Sequence, residues 1–259
     1  MKIVACIKQV PGTNEVRLDP LTNTIIRDSR QAVINPFDSY ALEAAVQIKE
    51  KLGGEVIVLS MGIPSAKNML ADAISRGADW GMLLSDRAFA GADTLATSYT
   101  LAKAIKQMNG ADLILCGKMA VDGDTAQIGP ELAEHLNISH VSDVAEFVEL
   151  DKKFVIVKKL VEDGYQILKV TLPALLCVVK DINMPRMPSI AGIRYSLNAE
   201  VIILGAEELK TDSAKTGLSG SPTQVIKTYT PKRQDKAVIL DGFPAEKAVA
   251  ILDIIGEAR

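Results

Sequence analysis

The sequence predicts an α/β fold: a mostly parallel sheet with helices on both faces, an antiparallel strand addition and a C-terminal extension. Three observations lead there. Short, continuously apolar runs alternate with stretches of helical period, as strands buried on both faces require. Past residue 144 this gives way to strand-like runs separated by tight polar turns. Between a buried run and a helix start lies a polar, small-residue turn, 117–130, the place where open α/β sheets bind ligands.

The elements follow in order. Residues 2–10 read as a first buried strand, and 15–19 with 23–27 as a small hairpin over the turn Pro20-Leu21-Thr22. Phe37, Tyr40, Ala41, Ala44, Ala45, Ile48 and Leu52 keep helical spacing, and Gly53-Gly54 ends that helix. Residues 55–60 are the next strand. Pro64 opens a helix that runs to Arg76, with Gly77 as its stop. A strand at 80–84, a helix at 93–108, a strand at 111–116 and a helix at 131–136 complete the alternation. Residues 144–149, 154–161, 165–171 and 174–179 are strand-like, and together they read as the antiparallel addition.

Residues 1–209 are expected to form a nucleotide-binding α/β domain, and 210–259 a linker and C-terminal arm. The segment 211–223 is rich in Ser, Thr, Gly and Lys, which is a linker composition. Ala248, Ile251, Leu252 and Ile255 share one face of a last helix. That face needs a surface, in this domain or on a second subunit.

Composition narrows the function classes. The formal net charge is −3 and no long basic run occurs, so nucleic acid is not an expected partner. No apolar stretch reaches the roughly 18 residues of a membrane span. Cys6, Cys116 and Cys177 each sit in an apolar run and no CxxC is present, which suits free buried thiols in a reducing cytoplasm. His135 and His140 have no Cys or His cluster to join, so no metal site is expected.

The familiar phosphate motifs are missing: there is no GxxxxGK[ST], and no GxGxxG follows the first strand. Two other polar turns stand out. Asn35-Pro36-Phe37-Asp38 opens the first helix, either as a cap alone or as a contact to ligand. The turn at 117–130 offers helix N–H groups and a positive dipole end to a phosphate. Asp122 and Asp124 would repel that phosphate, so they read as acceptors for ribose hydroxyls or backbone donors. Gly123, Thr125, Ala126 and Gly129 would let the chain approach closely. A plain loop with an Asp helix cap is the alternative. No acid–base constellation emerges, so any redox chemistry would rest on a bound cofactor.

These residues carry a resemblance. Residues 2–8, Asn35-Pro36-Phe37-Asp38, the 117–130 turn, and Lys159, Glu162-Asp163-Gly164, Gln166, Leu168 and Pro173-Ala174-Leu175-Leu176-Cys177 occur in the order found in electron transfer flavoprotein β subunits. The chain resembles that family from Met1 to about Glu208, with similar layout to the end. The resemblance implies an adenine-nucleotide-binding, Rossmann-like domain and a heterodimer with a larger α subunit. It places the nucleotide at Cys6, Asn35, Pro36, Phe37, Asp38, Met61, Ala120, Val121, Asp122, Gly123, Asp124, Thr125, Ala126, Gln127, Ile128, Gly129, Pro130 and Glu131. Conventional members hold AMP there and show three consecutive acids, then Asn-Gln-Thr-Gly-Gln. The present Asp122-Gly123-Asp124-Thr125-Ala126-Gln127 looks instead like the electron-bifurcating branch. That branch implies FAD in this subunit, NADH as hydride donor, ferredoxin as one acceptor, and an acyl-CoA or lactate dehydrogenase-type flavoprotein as the other partner. In the family the segment around Ile190 docks that dehydrogenase; a buried Ile at a helix start is the plainer reading. A non-catalytic nucleotide-sensing module is the alternative from a different class.

Overall fold

The computed structural model describes residues 1–12, 32–227 and 239–257. It divides into two compact units, Met1–Val225 and Ile226–Arg259. In the first unit, β1 (Lys2–Cys6), β4 (Glu55–Met61), β5 (Trp80–Leu84), β6 (Leu113–Gly117), β7 (Ser139–Leu150), β8 (Phe154–Val161), β9 (Gly164–Thr171), β10 (Ala174–Val178) and β11 (Val201–Leu204) form one sheet. Its order is β11-β5-β4-β1-β6-β10-β7-β8-β9. The strands from β11 across to β7 are mutually parallel, and β7-β8-β9 are antiparallel.

Apolar side chains of each central strand alternate between two cores. Ile3 and Ala5 face a cluster with α1 (Pro36–Leu52) and α2 (Lys67–Ser75). Val4 and Cys6 face a second cluster with α3 (Thr94–Gln107) and α4 (Ile128–Leu136). Both faces of the central strands are therefore removed from water, which is why they read as unbroken apolar runs. The expected α/β layering is the one observed.

Three local expectations are corrected. The first strand leaves the sheet at Cys6 and does not run to Val10. The Lys8 N–H goes to the Asp38 carboxylate at 2.8 Å, and β2 (Gln9–Pro11) pairs antiparallel with β3 (Ala32–Ile34). Ala174–Val178 is not part of the antiparallel addition. It is wholly buried and inserts between β6 and β7, parallel to both. The segment 211–223 packs against the domain, unlike a free linker. Asp212 donates its backbone N–H to Tyr99 Oη at 3.1 Å, and Thr223 donates its backbone N–H and hydroxyl to Asp93 at 3.0 and 2.8 Å. Ser221 is buried, and its hydroxyl accepts the Asp93 N–H at 2.8 Å. Its polar residues are spent on these bonds, so composition alone misreads them. The short helix α5 (Ile190–Ser196) begins where the plainer reading of Ile190 puts a helix start, and the edge strand β11 carries no local signal strong enough to place it. The hairpin expected at 15–27 lies outside the described residues.

In the second unit, α6 (Pro244–Glu257) matches the last expected helix, and Ile251, Leu252 and Ile255 are exposed.

Candidate functional site at the carboxyl ends of β1 and β6

The chain runs from β1 outward to β4 and β5 on one side, then returns to β6 on the other. The sheet thus reverses direction between β1 and β6, and a crevice opens beyond their carboxyl ends. Two segments flank it. One is the turn at 35–38, entering α1; the other is the loop at 117–127, entering α4.

Asn35 is fully buried but makes no side-chain cap on α1. Its Nδ2 donates to Met119 O at 2.9 Å, and its Oδ1 accepts from Val121 N at 3.1 Å. The capping-only reading of Asn35 is therefore replaced: this amide ties one wall of the crevice to the other. Pro36 occupies the first helical position. Asp38 is buried at the crevice floor. It accepts the N–H of Lys8 on one oxygen and that of Gly117, at 3.1 Å, on the other. Burial pushes its pKa up to about 7, against the lowering effect of these donors. Asp38 thus holds the ends of β1 and β6 together.

Gly117 is required at this point. A Cβ there would run into Asp38 Oδ1 and the Phe37 backbone. The loop then rises into solvent, and Val121 through Gln127 are exposed. Asp124 and Ala126 both adopt left-handed backbone, at φ of 52° and 54°. For alanine that conformation costs roughly 1–2 kcal/mol, a strain found more often at ligand loops than elsewhere. Asp122 pairs with Lys8 Nζ at 2.6 Å, so its charge over the crevice is offset. Neither aspartate caps α4, whose cap position is Gln127. Around Gly123 a Cβ would meet nothing within 4 Å.

The α4 start is seated by Gly129. Any side chain there would collide with Cys177 Sγ. Ile128 and Pro130 are half-buried beside it, and Glu131 shares Thr94 Oγ1 with Gln127 at 3.1 and 2.9 Å. Pro130 has no N–H and the Glu131 N–H goes to Gln127 O, so the N–H groups of Ile128 and Gly129 are the ones at the α4 start left without a partner inside the helix, and these could serve an anion. Ala120 sits half-buried on the near side of the loop, and Met61 ends the neighbouring strand β4.

Cys6, Cys116 and Cys177 lie in one register row across β1, β6 and β10. All are free and buried. Its hydrogen bond with Cys6, together with burial, raises the Cys116 thiol, and burial pushes Cys177 up to about 12. Cys116 and Cys177 are therefore protonated and unreactive at neutral pH. Among the described residues no cluster of His, Cys, Asp and Glu could hold a metal ion.

The structure thus brings Cys6, Asn35 to Asp38 and the 117–131 segment to one crevice. Ile190 stands apart on α5, which packs on α2. It begins that helix as expected, but it is 79% exposed, so the buried reading is excluded. Arg186 anchors the segment before it, through paired bonds to Glu43 and Glu50. Two site residues escaped the sequence reading. Lys8 follows the first strand and faces the acidic loop, a charge complementarity visible in principle. Thr94 sits one position past a helix cap and carried no signal.

An open, mostly parallel sheet with its crevice at the strand reversal defines a doubly wound α/β protein of the nucleotide-binding kind. A family model, "Electron transfer flavoprotein domain", matches residues 22–209. The chain is 49% identical over 243 residues to an electron transfer flavoprotein subunit beta of Thermoanaerobacterium thermosaccharolyticum, covering 93% of each. It is 45% identical to the caffeyl-CoA reductase-Etf complex subunit CarD of Acetobacterium woodii, over 97% of this chain and 96% of that one. It is 39% identical to the acryloyl-CoA reductase electron transfer subunit gamma of Anaerotignum propionicum, over 98% and 97%. The chain belongs to the electron transfer flavoprotein family, among its β subunits. No described helix is long and apolar enough to cross a membrane.

Proposed function

We propose that this chain is the β subunit of an electron-bifurcating flavoprotein, holding FAD at the 35–38 and 117–131 crevice. What carries the reading is the Asp122-Gly123-Asp124-Thr125-Ala126-Gln127 pattern, which resembles the bifurcating branch and keeps positions 123 and 126 small, leaving room on the solvent side of the loop. A nucleotide larger than AMP needs that room. The residues fit the group. Lys8 offsets the charge of Asp122, which would otherwise repel a diphosphate, the α4 start could offer N–H donors to it, and Asn35 holds the loop in place. When bound, FAD supplies hydride acceptance from NADH and onward single-electron transfer. The protein's part is to bind, orient and electrostatically tune it, and no acid–base side chain is called for.

The names of the Acetobacterium and Anaerotignum relatives support a place in a complex with a reductase acting on a CoA thioester. On this reading the partners are an α subunit with its own FAD, ferredoxin, and a dehydrogenase of acyl-CoA or lactate type, all in the cytoplasm. Ile190 is the anchor for the dehydrogenase and α6 the arm for the α subunit. Anaerobic titration of the purified α/β complex with NADH tests the reading: flavin absorbance should bleach with both flavins accessible. A complex that NADH leaves unbleached would favour the conventional carrier, and a colourless one the sensing module.

A further inference from the structure

A second concavity lies between α3, α4 and the turns at 213–220, with a cavity volume of about 340 Å³. None of its lining residues belongs to the 35–38 turn or the 117–131 loop. Its volume falls at the small end of the range for small-molecule sites. Tyr99 and His135 meet there edge to face, with ring centroids 6.0 Å apart. Lys103, Lys106 and Lys215 line it, and no carboxylate does. Lys106 Nζ is partly committed, donating to His135 O at 2.7 Å at the end of α4. Lys215 Nζ lies 5.9 Å from the Tyr99 ring centre. Among the described residues neither Lys103 nor Lys215 is paired with a carboxylate. His135 Nε2 is buried with no hydrogen-bond partner.

We propose that this cavity is a binding site for a small phosphate-bearing molecule. Two ammonium groups without a carboxylate partner supply charge for the phosphate, and the Tyr99 and Leu95 side chains pack an apolar body. The turns at 213–220 form the third wall, so the site exists only because that segment packs on α3. The proposal does not depend on which nucleotide fills the crevice.

Inorganic pyrophosphate is the probe, titrated calorimetrically into the full-length chain together with the subunit it copurifies with. One saturable site per chain is expected. The double variant Lys103→Ala, Lys215→Ala should weaken it tenfold or more and leave flavin absorbance and the melting curve unchanged. The charge reversal Lys103→Glu should weaken it further. Absence of saturable binding overturns the proposal. So does binding that the lysine variants leave intact, which would put the pyrophosphate in the crevice instead.

Discussion

Asn35 and Val121 are 86 residues apart in sequence and joined by a hydrogen bond of 3.1 Å, from the Val121 N–H to Asn35 Oδ1. With the second bond, to Met119 O, a single buried amide fixes the distance between the two walls of the crevice. Asn35→Ala should therefore cost about 1–3 kcal/mol, at roughly 0.5–1.5 kcal/mol for each of the two lost hydrogen bonds. It should release nucleotide more readily than the wild type. Thermal unfolding of the variant, and nucleotide content after gel filtration, measure the two effects. A variant of unchanged stability and full content would show that the amide does not set the crevice.

Asp38 gives the fold a pH dependence. Its folded pKa, about 7, stands above the ordinary value of 3.8. Its contribution is thus complete below pH 3.8 and is lost as pH rises through 7. Glu50, held low by its bond to Arg186, and Asp86, held low by the Ala206 N–H, work in the opposite sense and at lower pH, since they lose stability only as acid protonates them. Urea midpoints at pH 5 and pH 8 should therefore differ in the wild type, with pH 8 the less stable. In Asp38→Asn that difference should shrink. An unchanged difference would place the titration elsewhere.

The glycines of the 117–131 loop should separate into two kinds. Gly129→Ala drives a methyl group into Cys177 Sγ and should destabilise by about 1–3 kcal/mol through overpacking. Gly123 faces open space, so Gly123→Asp should leave the melting temperature alone. It should still weaken FAD more than AMP, because the added carboxylate fills space and sets charge near a diphosphate. Nucleotide content of the purified variant decides the point, and full FAD occupancy would show that this loop does not select the cofactor.

How much of this was legible in advance depended on whether the signal was local. The central strands were legible because burial on both faces makes them apolar throughout, as in Ile57, Val58 and Leu59. The crevice was legible because strand, small-residue turn and helix start are contiguous. Ala174–Val178 was located but misassigned, since strand direction depends on a partner 61 residues away, Ala174 pairing with Leu113. Ser221 and Thr223 looked like linker because their hydrogen bonds go to Asp93, which no local pattern announces. The pair of hydrogen bonds made by Asn35 was hidden for the same reason: a cap and a cross-crevice clamp have the same sequence.

Ile190 and α6 should behave as separate contacts. Ile190 is exposed, so Ile190→Ala should not change stability or flavin content. Burying one aliphatic side chain on a partner is worth roughly 1.5–3 kcal/mol, so docking of the dehydrogenase should weaken about tenfold or more. Deleting the chain from Lys236 onward should instead loosen the α/β heterodimer. A pull-down with both partners present reads the two effects, and wild-type capture of the dehydrogenase by Ile190→Ala would remove Ile190 from the docking surface.

The central claim is that the crevice between the Asn35–Asp38 turn and the 117–131 loop holds FAD. Its most direct test is chemical. The α/β complex is purified under nitrogen, its nucleotides are released by heat and separated by chromatography, and FAD and AMP are counted against protein. FAD in both subunits with no AMP is the predicted result. FAD in the α subunit alone, with stoichiometric AMP released from this chain, would contradict it.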